Sequence, residues 1–412
     1  MRVLFVNDVG FQYGAGLAQL RQIQSFLLMG WDVAALCWHS GEIESRIPLI
    51  PKNAAGQWLG ITSFPYLHPD YGIPPDLIVE TLVFEANIRY PDIVIVGNLH
   101  GAKWPIHLLS ALKTLNCPVI SYMHDCYWFT GRCAYPGNCE RYYLSCNHEC
   151  PTWQEYPVLE PHLIFEKWLL KRDLFCGSQG IPLATNSQWL KKLTEDAIIG
   201  ANRISCVYLG LDSELFQPID KSWARQLLGV PMDSFIVLGG AANVQDFRKG
   251  GHIFQELIEI LKPNTSFLVF GAQSNKISGV YNTGLLRDYR KMHLVYSAAD
   301  VFVNTSLEEA FGQTLCEASA CALPIVAFDV GGVSEVARHG ENARLVNEKN
   351  ALALAKEVEF YRKDIETRLS YGRRGREIVE AEFTLQAQGE RWMQYLGSFI
   401  DMTSNTSHGV VN

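Results

Sequence analysis

The hydrophobic positions of this chain fall into short runs that alternate with amphipathic stretches, a pattern typical of α/β architecture. In the first half these runs predict strands at Val3–Val6, Asp32–Cys37, Ile93–Val96, Val119–Met123 and Leu183–Thr185. In the second half they predict strands at Ile236–Gly239, Phe267–Phe270, Val301–Val303, Ile325–Phe328 and Arg344–Val346. Continuous apolar strands are buried on both faces, as they are in parallel sheets covered by helices. We therefore expect two doubly wound parallel sheets, one in each half.

Helical spacing of apolar residues separates the predicted strands. Ala18–Met29 carries apolar residues at helical intervals and is followed by Gly30, a common C-terminal stop. Further helices are predicted at Gly250–Leu261, Gly312–Cys321, Gly332–Arg338 and Ala351–Tyr361. Gly210 and Pro218 punctuate the segment between the two series and predict a domain boundary there. The predicted domains are residues 1–207 with a cysteine-rich insertion at 126–151, residues 208–380, and a C-terminal helix and tail at 381–412 that could return to the first domain.

The composition of the chain favours some classes of protein and disfavours others. Hydrophobic residues make up 48% of the chain and charged residues 19%, which predicts a large folded core. The net charge of -8 disfavours a nucleic-acid-binding protein, because that class normally carries a basic surplus. The apolar runs are far shorter than the roughly 20 residues that a membrane span needs. Met1–Asp8 looks like a buried strand and not like a secretory signal, so we expect a cytoplasmic protein.

Two loops place glycines or carboxylates beside the start of a predicted helix. Gly14 and Gly16 follow the first strand, where they could let the backbone approach an anion or simply form a tight turn without a ligand. They do not complete a G-x-G-x-x-G fingerprint, which disfavours a dinucleotide oxidoreductase. In the second half, Glu309 lies on a loop and Glu317 lies in the helix that follows. This combination fits a ligand that carries hydroxyls, phosphates and a ribose.

Several segments resemble family 4 of the retaining GT-B glycosyltransferases, of the bacterial polysaccharide and glycoconjugate type. They are Glu309–Glu317 (Glu-Ala-Phe-Gly-Gln-Thr-Leu-Cys-Glu), Tyr296–Ser306, Leu323–Glu335, the linker Tyr208–Pro218 and Arg248-Lys249-Gly250. The resemblance is dense in the second domain and thinner in the first. It implies an α/β fold of the GT-B class, with two Rossmann-like, doubly wound domains facing a central cleft.

The resemblance also implies roles for individual residues. Glu317 would bind the ribose hydroxyls of a nucleotide sugar, while Glu309 would hold the donor sugar and its distal phosphate. Lys249 would neutralise the diphosphate leaving group, and Arg248 is a second candidate cation. The implied donor-binding set is Gly14, Gly16, Arg248, Lys249, Ala310, Phe311, Gly312, Gln313 and Glu317.

His124 is the candidate catalytic residue of the first domain. It follows a predicted strand, where a parallel sheet places active-site groups, and the resemblance implies that it contacts the donor sugar. Asp125 could cap or orient it. Together with Glu309 and Lys249, His124 forms the implied catalytic set. No D-x-D carboxylate pair occurs in the chain, so neither a Mg²⁺ or Mn²⁺ clamp nor another catalytic cofactor is expected.

A cysteine-rich segment follows His124. Cys133, Cys139, Cys146 and Cys150 could enclose a structural zinc ion as four thiolates. An iron–sulfur cluster is a less favoured alternative to the zinc ion. The spacing is looser than that of zinc ribbons, so buried thiols, or disulfides in an oxidising compartment, are an equally weighted alternative. A subgroup of the resembled family carries a similar insertion, which supports a role on the acceptor side.

The predicted function is retaining, metal-independent transfer of a hexose-type sugar from a UDP or GDP sugar to a hydroxyl of a glycan, lipid-linked or small-molecule acceptor. Two alternatives stay open: a GT-B nucleotide-sugar epimerase, and a non-catalytic homologue that binds nucleotide sugars. No nucleic-acid partner is expected. The amphipathic stretch Leu163–Phe175 could make a peripheral membrane contact, although a helix packed on the first domain is the favoured interpretation.

Overall fold

The computed structural model describes residues 1–8, 10–11, 14–40, 60–198, 200, 203–243, 246–262, 265–272, 280–284, 286 and 291–406. The chain divides into two compact units. Unit 1 comprises Met1–Leu209 together with the segment from Gln386 onward, and unit 2 comprises Gly210–Leu385. The domain boundaries predicted from the sequence, after residues 207 and 380, lie within a few residues of these divisions.

Unit 1 is built on a parallel sheet. Its described strands are β1 (Arg2–Asn7), β2 (Asp32–Cys37), β3 (Gly60–Ser63), β4 (Ile93–Val96), β5 (Val119–Met123), β6 (Leu183–Thr185) and β7 (Ile204–Cys206). They lie in the order β3-β2-β1-β4-β5-β6-β7, and each neighbouring pair is parallel. The five strands predicted for this half are confirmed. The short edge strands β3 and β7 are partly exposed and carry no apolar run that would have predicted them.

Helices cover the sheet of unit 1. In the described ranges they include α1 (Gly14–Leu28), α2 (Pro75–Asn87), α3 (Leu108–Leu112), α4 (Arg141–Leu144), α5 (Pro161–Phe175) and α6 (Gln188–Ala197). Helix α5 packs on unit 1 through a buried face that includes Ile164, Trp168 and Lys171. The Lys171 ammonium donates hydrogen bonds to the carbonyls of Tyr127 and Thr130 at 2.7 and 3.0 Å. No helix in the described part of the chain is long and apolar enough to cross a membrane.

Unit 2 repeats the architecture. Its described strands are β8 (Ile236–Asn243), β9 (Ser266–Ala272), β10 (Val280–Gly284), β11 (Val301–Asn304), β12 (Ile325–Phe328) and β13 (Ala343–Val346). They form a parallel sheet in the order β10-β9-β8-β11-β12-β13. The described helices are α7 (Lys221–Leu228), α8 (Gly251–Leu261), α9 (Met292–Ala298), α10 (Gln313–Ala320), α11 (Val333–Val336), α12 (Ala351–Lys363) and α13 (Ile365–Glu382). The five strands predicted for this half are confirmed, and β10 is an additional edge strand.

The C-terminal helix α14 (Leu385–Thr406) completes the core of unit 1. The Trp392 ring is fully buried and packs 5.5 Å from the Phe26 ring and 5.6 Å from the Tyr122 ring, centroid to centroid. The Tyr395 hydroxyl donates to the Leu183 carbonyl at 2.9 Å. Burying one large apolar side chain is worth about 1.5–3 kcal/mol, so this helix contributes substantially to the stability of unit 1.

Candidate functional site

In unit 2, two neighbouring strands deliver the candidate donor-binding residues. Strands β8 and β11 are parallel neighbours, so their carboxyl ends lie at one edge of the sheet. The turn after β8 carries Arg248 and Lys249, and the loop after β11 carries Glu309. Lys249 Nζ lies 2.5 Å from Glu309 Oε2, and the Leu307 amide donates to the Arg248 carbonyl at 2.8 Å. The structure therefore brings two adjacent cationic residues together with a glutamate that lies 60 positions after Lys249 in the sequence.

The electrostatics of this pair favour an ionised carboxylate. Burial by itself would raise the pKa of Glu309, but the charges of Lys249 and Arg248 outweigh burial. Hydrogen bonds from the Lys249 ammonium and from the Phe311 amide act in the same direction, so the pKa of Glu309 is lowered. A phosphate approaching Lys249 would share this ammonium with Glu309.

Arg248 is held beside the pair by its own contacts. Its guanidinium donates to Asp246 Oδ2 at 3.0 Å and to the Glu308 carbonyl at 3.2 Å. The Arg248 side chain is about one quarter exposed, which leaves a cation at the surface of this edge. Its role as a second diphosphate ligand stays a prediction.

The loop that carries Glu309 leads directly into helix α10. Gly312 is the N-cap residue and has φ = 90°, a left-handed conformation that favours glycine. Gln313 begins the helix, whose N-terminus carries a partial positive charge. Ala310 and Phe311 are buried, and the Phe311 N–H bonds the Glu309 carboxylate. The helix start predicted from Gly312 is confirmed, and the Phe311 N–H contacts the Glu309 carboxylate. The donor-binding roles of Ala310, Phe311, Gly312 and Gln313 stay predictions.

Glu317 lies in the second turn of α10 and is buried. Tyr296, on α9, donates its hydroxyl proton to Glu317 Oε2 at 2.7 Å. Sequence reasoning missed Tyr296, because an aromatic residue in an amphipathic helix does not reveal which polar group its hydroxyl meets.

In unit 1, three neighbouring strands bring polar residues to one sheet edge. Asp8 follows β1, His100 follows β4, and both His124 and Asp125 follow β5. Asp125 Oδ2 lies 3.2 Å from His100 Nε2, and His100 Nδ1 lies 2.9 Å from the Tyr156 hydroxyl. Asp125 also accepts a hydrogen bond from the Tyr127 amide. These contacts join Asp125 to His100 and Tyr127, and its predicted role of capping or orienting His124 stays a prediction. Asp8 and His100 were missed, although the strand-end rule that singled out His124 applies to them as well.

Burial sets the protonation of this cluster. It lowers the pKa of His124 to about 4, so the imidazole is neutral at pH 7. Burial also raises the pKa of Asp8 to about 6. The charge of His100 and hydrogen bonds from the amides of residues 101 and 102 lower this pKa, but their effect is smaller. Burial opposes both charges of the His100–Asp125 pair, yet their mutual attraction prevails, so the pKa of His100 is raised and that of Asp125 is lowered.

Two atoms of this cluster have no hydrogen-bond partner within the described ranges: Asp8 Oδ1 and His124 Nδ1. Both residues are buried, with 0% and 8% of their surface exposed. Buried polar atoms are normally paired, so unsatisfied ones identify a site for water or a polar ligand.

The two glycines of the first loop, Gly14 and Gly16, differ in how closely the rest of unit 1 packs around them. Gly16 lies in the first turn of α1, and a Cβ there would come within 1.8 Å of the Gly10 carbonyl oxygen. Packing inside unit 1 therefore requires glycine at position 16. Gly14 is the exposed first residue of α1. The predicted phosphate or acceptor contacts of both glycines stay predictions.

Four of the five cysteines of the insertion, the candidate zinc ligands, line one small cavity of about 10 Å³, which is room for about one water molecule. The sulfur atoms of Cys133 and Cys150 each lie 3.9 Å from Thr152 Oγ1, and Cys139 and Cys146 complete the lining. All four are free thiols. Across the described ranges, no group of three or more His, Cys, Asp or Glu side chains is arranged to hold a metal ion. The structural zinc ion stays a prediction.

Comparison with known proteins identifies relatives of part of the chain. Residues 235–364 match the sequence family described as "Glycosyl transferases group 1". A D-inositol 3-phosphate glycosyltransferase of Stackebrandtia nassauensis is 25% identical over 255 residues, which are 54% of this chain and 56% of that protein. Another, from Xylanimonas cellulosilytica, is 31% identical over 175 residues, which are 37% of this chain and 42% of that protein. The chain therefore spans about half the length of these relatives.

Two solved structures resemble almost the whole chain. Sucrose-phosphate synthase from Thermosynechococcus elongatus has a TM-score of 0.73 at 18% identity, covering 98% of this chain and 100% of that one. HepE of Anabaena, in complex with UDP-glucose, has a TM-score of 0.72 at 18% identity, covering 97% and 100%. At these identities the likeness concerns the fold. The predicted fold class, α/β with two Rossmann-like domains of the GT-B type, is confirmed.

Proposed function

We propose that this protein is a glycosyltransferase that takes a sugar from a nucleoside diphosphate sugar, retains the anomeric configuration and needs no catalytic metal. The observation that carries the proposal is the Lys249–Glu309 pair beside the N-terminus of α10, with Glu317 farther along that helix. All of these residues lie within the segment that matches the glycosyltransferase family.

Each group has a role in this proposal that follows from its chemistry. The Lys249 ammonium and the N-terminus of α10 stabilise the negative charge that develops on the diphosphate as it leaves. Glu309 orients Lys249 and accepts hydrogen bonds from hydroxyls of the donor sugar. Glu317 accepts hydrogen bonds from the ribose. HepE binds UDP and UDP-glucose, which supports a UDP sugar as the first donor to test.

The proposed reaction balances without a protein nucleophile. The bond between the anomeric carbon and the diphosphate oxygen breaks, and its electron pair passes to the diphosphate. The acceptor hydroxyl oxygen bonds to the anomeric carbon on the same face of the ring, and its proton passes to a phosphate oxygen of the donor. In unit 1, His124 is neutral at pH 7, so it can donate or accept a hydrogen bond without adding charge. The proposed acceptor group is a hydroxyl of a glycan, lipid-linked or small-molecule acceptor.

A ligand screen tests the proposed donor site. Thermal unfolding is measured with UDP, GDP, UDP-glucose and GDP-mannose, and a ligand at 100 times its Kd is expected to stabilise the protein by about 2.7 kcal/mol. Lys249→Ala and Glu317→Ala should each abolish the stabilisation and the transfer while the protein stays folded. Lys262→Ala, which removes a lysine from an exposed ion pair with Glu259 in the same unit, is the matched control.

Two outcomes would count against the proposal. Wild-type stabilisation in Lys249→Ala and Glu317→Ala would refute the site, and a screen without any stabilising nucleotide would refute the donor class. Release of nucleoside diphosphate from the bound sugar nucleotide distinguishes a transferase from a non-catalytic binding protein. Activity after extensive EDTA treatment is expected to persist, and a strict requirement for added Mg²⁺ would contradict a metal-independent mechanism.

A further inference from the structure

Tyr296 and Glu317 form a buried hydrogen-bonded pair inside unit 2. The tyrosine is 0% exposed and the glutamate 4%. The distance of 2.7 Å between the Tyr296 hydroxyl and Glu317 Oε2 is that of a well-formed O–H···O hydrogen bond. The pair joins α9 to α10, so two separate helices determine where the carboxylate lies.

The tyrosine ring is itself fixed by aromatic neighbours. Its centroid lies 5.9 Å from the Phe302 ring, 6.0 Å from the Phe270 ring and 6.4 Å from the Phe216 ring, each in an edge-on arrangement. Edge-to-face contacts of this kind restrict the rotation of a ring. The hydroxyl therefore presents its proton from a defined position.

A glutamate side chain has three rotatable bonds, and burying it in one rotamer costs conformational entropy. Part of that cost is met before any ligand binds if a fixed donor already holds one oxygen. Because the donor is a neutral phenol, it brings no counter-charge to the carboxyl group, whose oxygens keep the capacity to accept further hydrogen bonds. These are the properties needed to bind the two adjacent hydroxyls of a ribose.

We propose that Tyr296 is a positioning residue for ribose recognition: its hydroxyl fixes the Glu317 carboxylate so that the site selects ribonucleoside over deoxyribonucleoside diphosphates. The inference rests on the proposed function, in which Glu317 binds the ribose of the donor. It adds a specificity determinant that acts through another residue and does not contact the reacting atoms.

Tyr296→Phe removes only the hydroxyl and keeps the ring in its aromatic surroundings. Isothermal titration calorimetry then compares the wild type and the variant with UDP, GDP and ADP and with the 2′-deoxy form of each. For the nucleotide that the wild type binds, we expect the ribo form to bind the variant about 5–10-fold more weakly, which is the loss that one hydrogen bond of typical net strength predicts. Binding of the 2′-deoxy form should change less than about 2-fold, because this form lacks one of the hydroxyls that Glu317 would bind. The discrimination between the two forms therefore decreases.

Two further variants test whether the effect of Tyr296→Phe is merely structural. Tyr361→Phe removes the hydroxyl of another fully buried tyrosine of unit 2, whose hydroxyl lies 3.5 Å from the Ile325 carbonyl, and it should preserve the discrimination. In the Glu317→Gln background, Tyr296→Phe should have almost no further effect on ribose discrimination, because residues that act as a unit are not additive. In turnover assays, Tyr296→Phe should raise the KM for the donor and leave kcat nearly unchanged.

The outcomes separate this inference from the proposed function. If the wild type prefers the ribo form and Tyr296→Phe keeps the full preference, the positioning role is wrong while the donor site stands. An equal loss of affinity for the ribo and deoxy forms would also overturn it, since that result indicates a general disturbance of the pocket. If the wild type binds none of the three nucleotides, both the proposed function and this inference fail.

Discussion

Asp8→Asn is expected to change how the stability of unit 1 depends on pH. Asp8 is completely buried, and burial raises the pKa of its carboxyl from 3.8 to about 6. The amide of asparagine has a similar shape, and its oxygen can keep the hydrogen bond that Asp8 Oδ2 accepts from the Ala102 amide at 2.8 Å. The substitution therefore removes the titration and largely preserves the packing.

The magnitude follows from linkage between proton binding and folding. Between pH 4 and pH 6 the folded state binds more protons at Asp8 than the unfolded state does, so the stability of the wild type falls as the pH rises through this window. One pKa unit corresponds to about 1.4 kcal/mol, and the difference between 3.8 and about 6 therefore corresponds to about 3 kcal/mol. Part of this change lies below pH 4.5, so the stability of Asp8→Asn relative to the wild type should increase by about 2 kcal/mol between pH 4.5 and pH 7.5.

Tryptophan fluorescence isolates the relevant unit in a urea titration. The chain has ten tryptophans, of which Trp223 belongs to unit 2 and all others belong to unit 1. Unfolding midpoints are compared at pH 4.5 and pH 7.5 for the wild type, for Asp8→Asn and for Asp196→Asn, an exposed site in the same unit that controls for the chemical change. If the gap between Asp8→Asn and the wild type is the same at both pH values, the reasoning from burial is refuted.

Three further predictions concern single residues. Gly331→Ala should abolish nucleotide binding in the thermal-shift assay while circular dichroism shows unit 2 folded, because a Cβ at this left-handed position would lie 2.0 Å from the Glu309 carbonyl oxygen. Lys171→Met should lower the unfolding free energy of unit 1 by about 2 kcal/mol or more in urea, since it leaves buried carbonyls without their donor. The kcat/KM of the wild type should show no ionisation of His124 near pH 6.5, because its pKa is about 4; a break that disappears in His124→Gln would contradict this assignment.

The central strands were predictable from the sequence, whereas three of the four edge strands that the structure describes (β3, β7 and β10) were not. Strands β2, β4, β5 and β6 have the predicted bounds because their apolar residues are continuous and buried on both faces. Strand β3 consists of Gly60–Ser63 and is partly exposed. Its conformation comes from backbone pairing with β2, and a pairing partner is not visible in the hydrophobic pattern.

Several individual residues of the candidate site were predictable from the sequence, whereas the contacts between them were not. Glu309 was singled out by its place on a loop before a predicted helix and Lys249 by family resemblance, and the structure adds that they form an ion pair. The contact between His100 and Asp125 depends on β4 and β5 being neighbours in the sheet, which strand order determines and local sequence does not. The Tyr296–Glu317 bond depends on the packing of two helices, which is equally hidden in a single sequence.

Helix α14 has a consequence for the order in which the protein is completed on the ribosome. Domains usually fold in the order of their synthesis, the N-terminal one first. Here unit 2 is one uninterrupted stretch, whereas unit 1 lacks the buried Trp392 side chain until the last part of this sequence has emerged. Unit 2 can therefore reach its native state while nascent unit 1 still exposes the apolar surface that Trp392 will cover, and chaperones are expected to bind there.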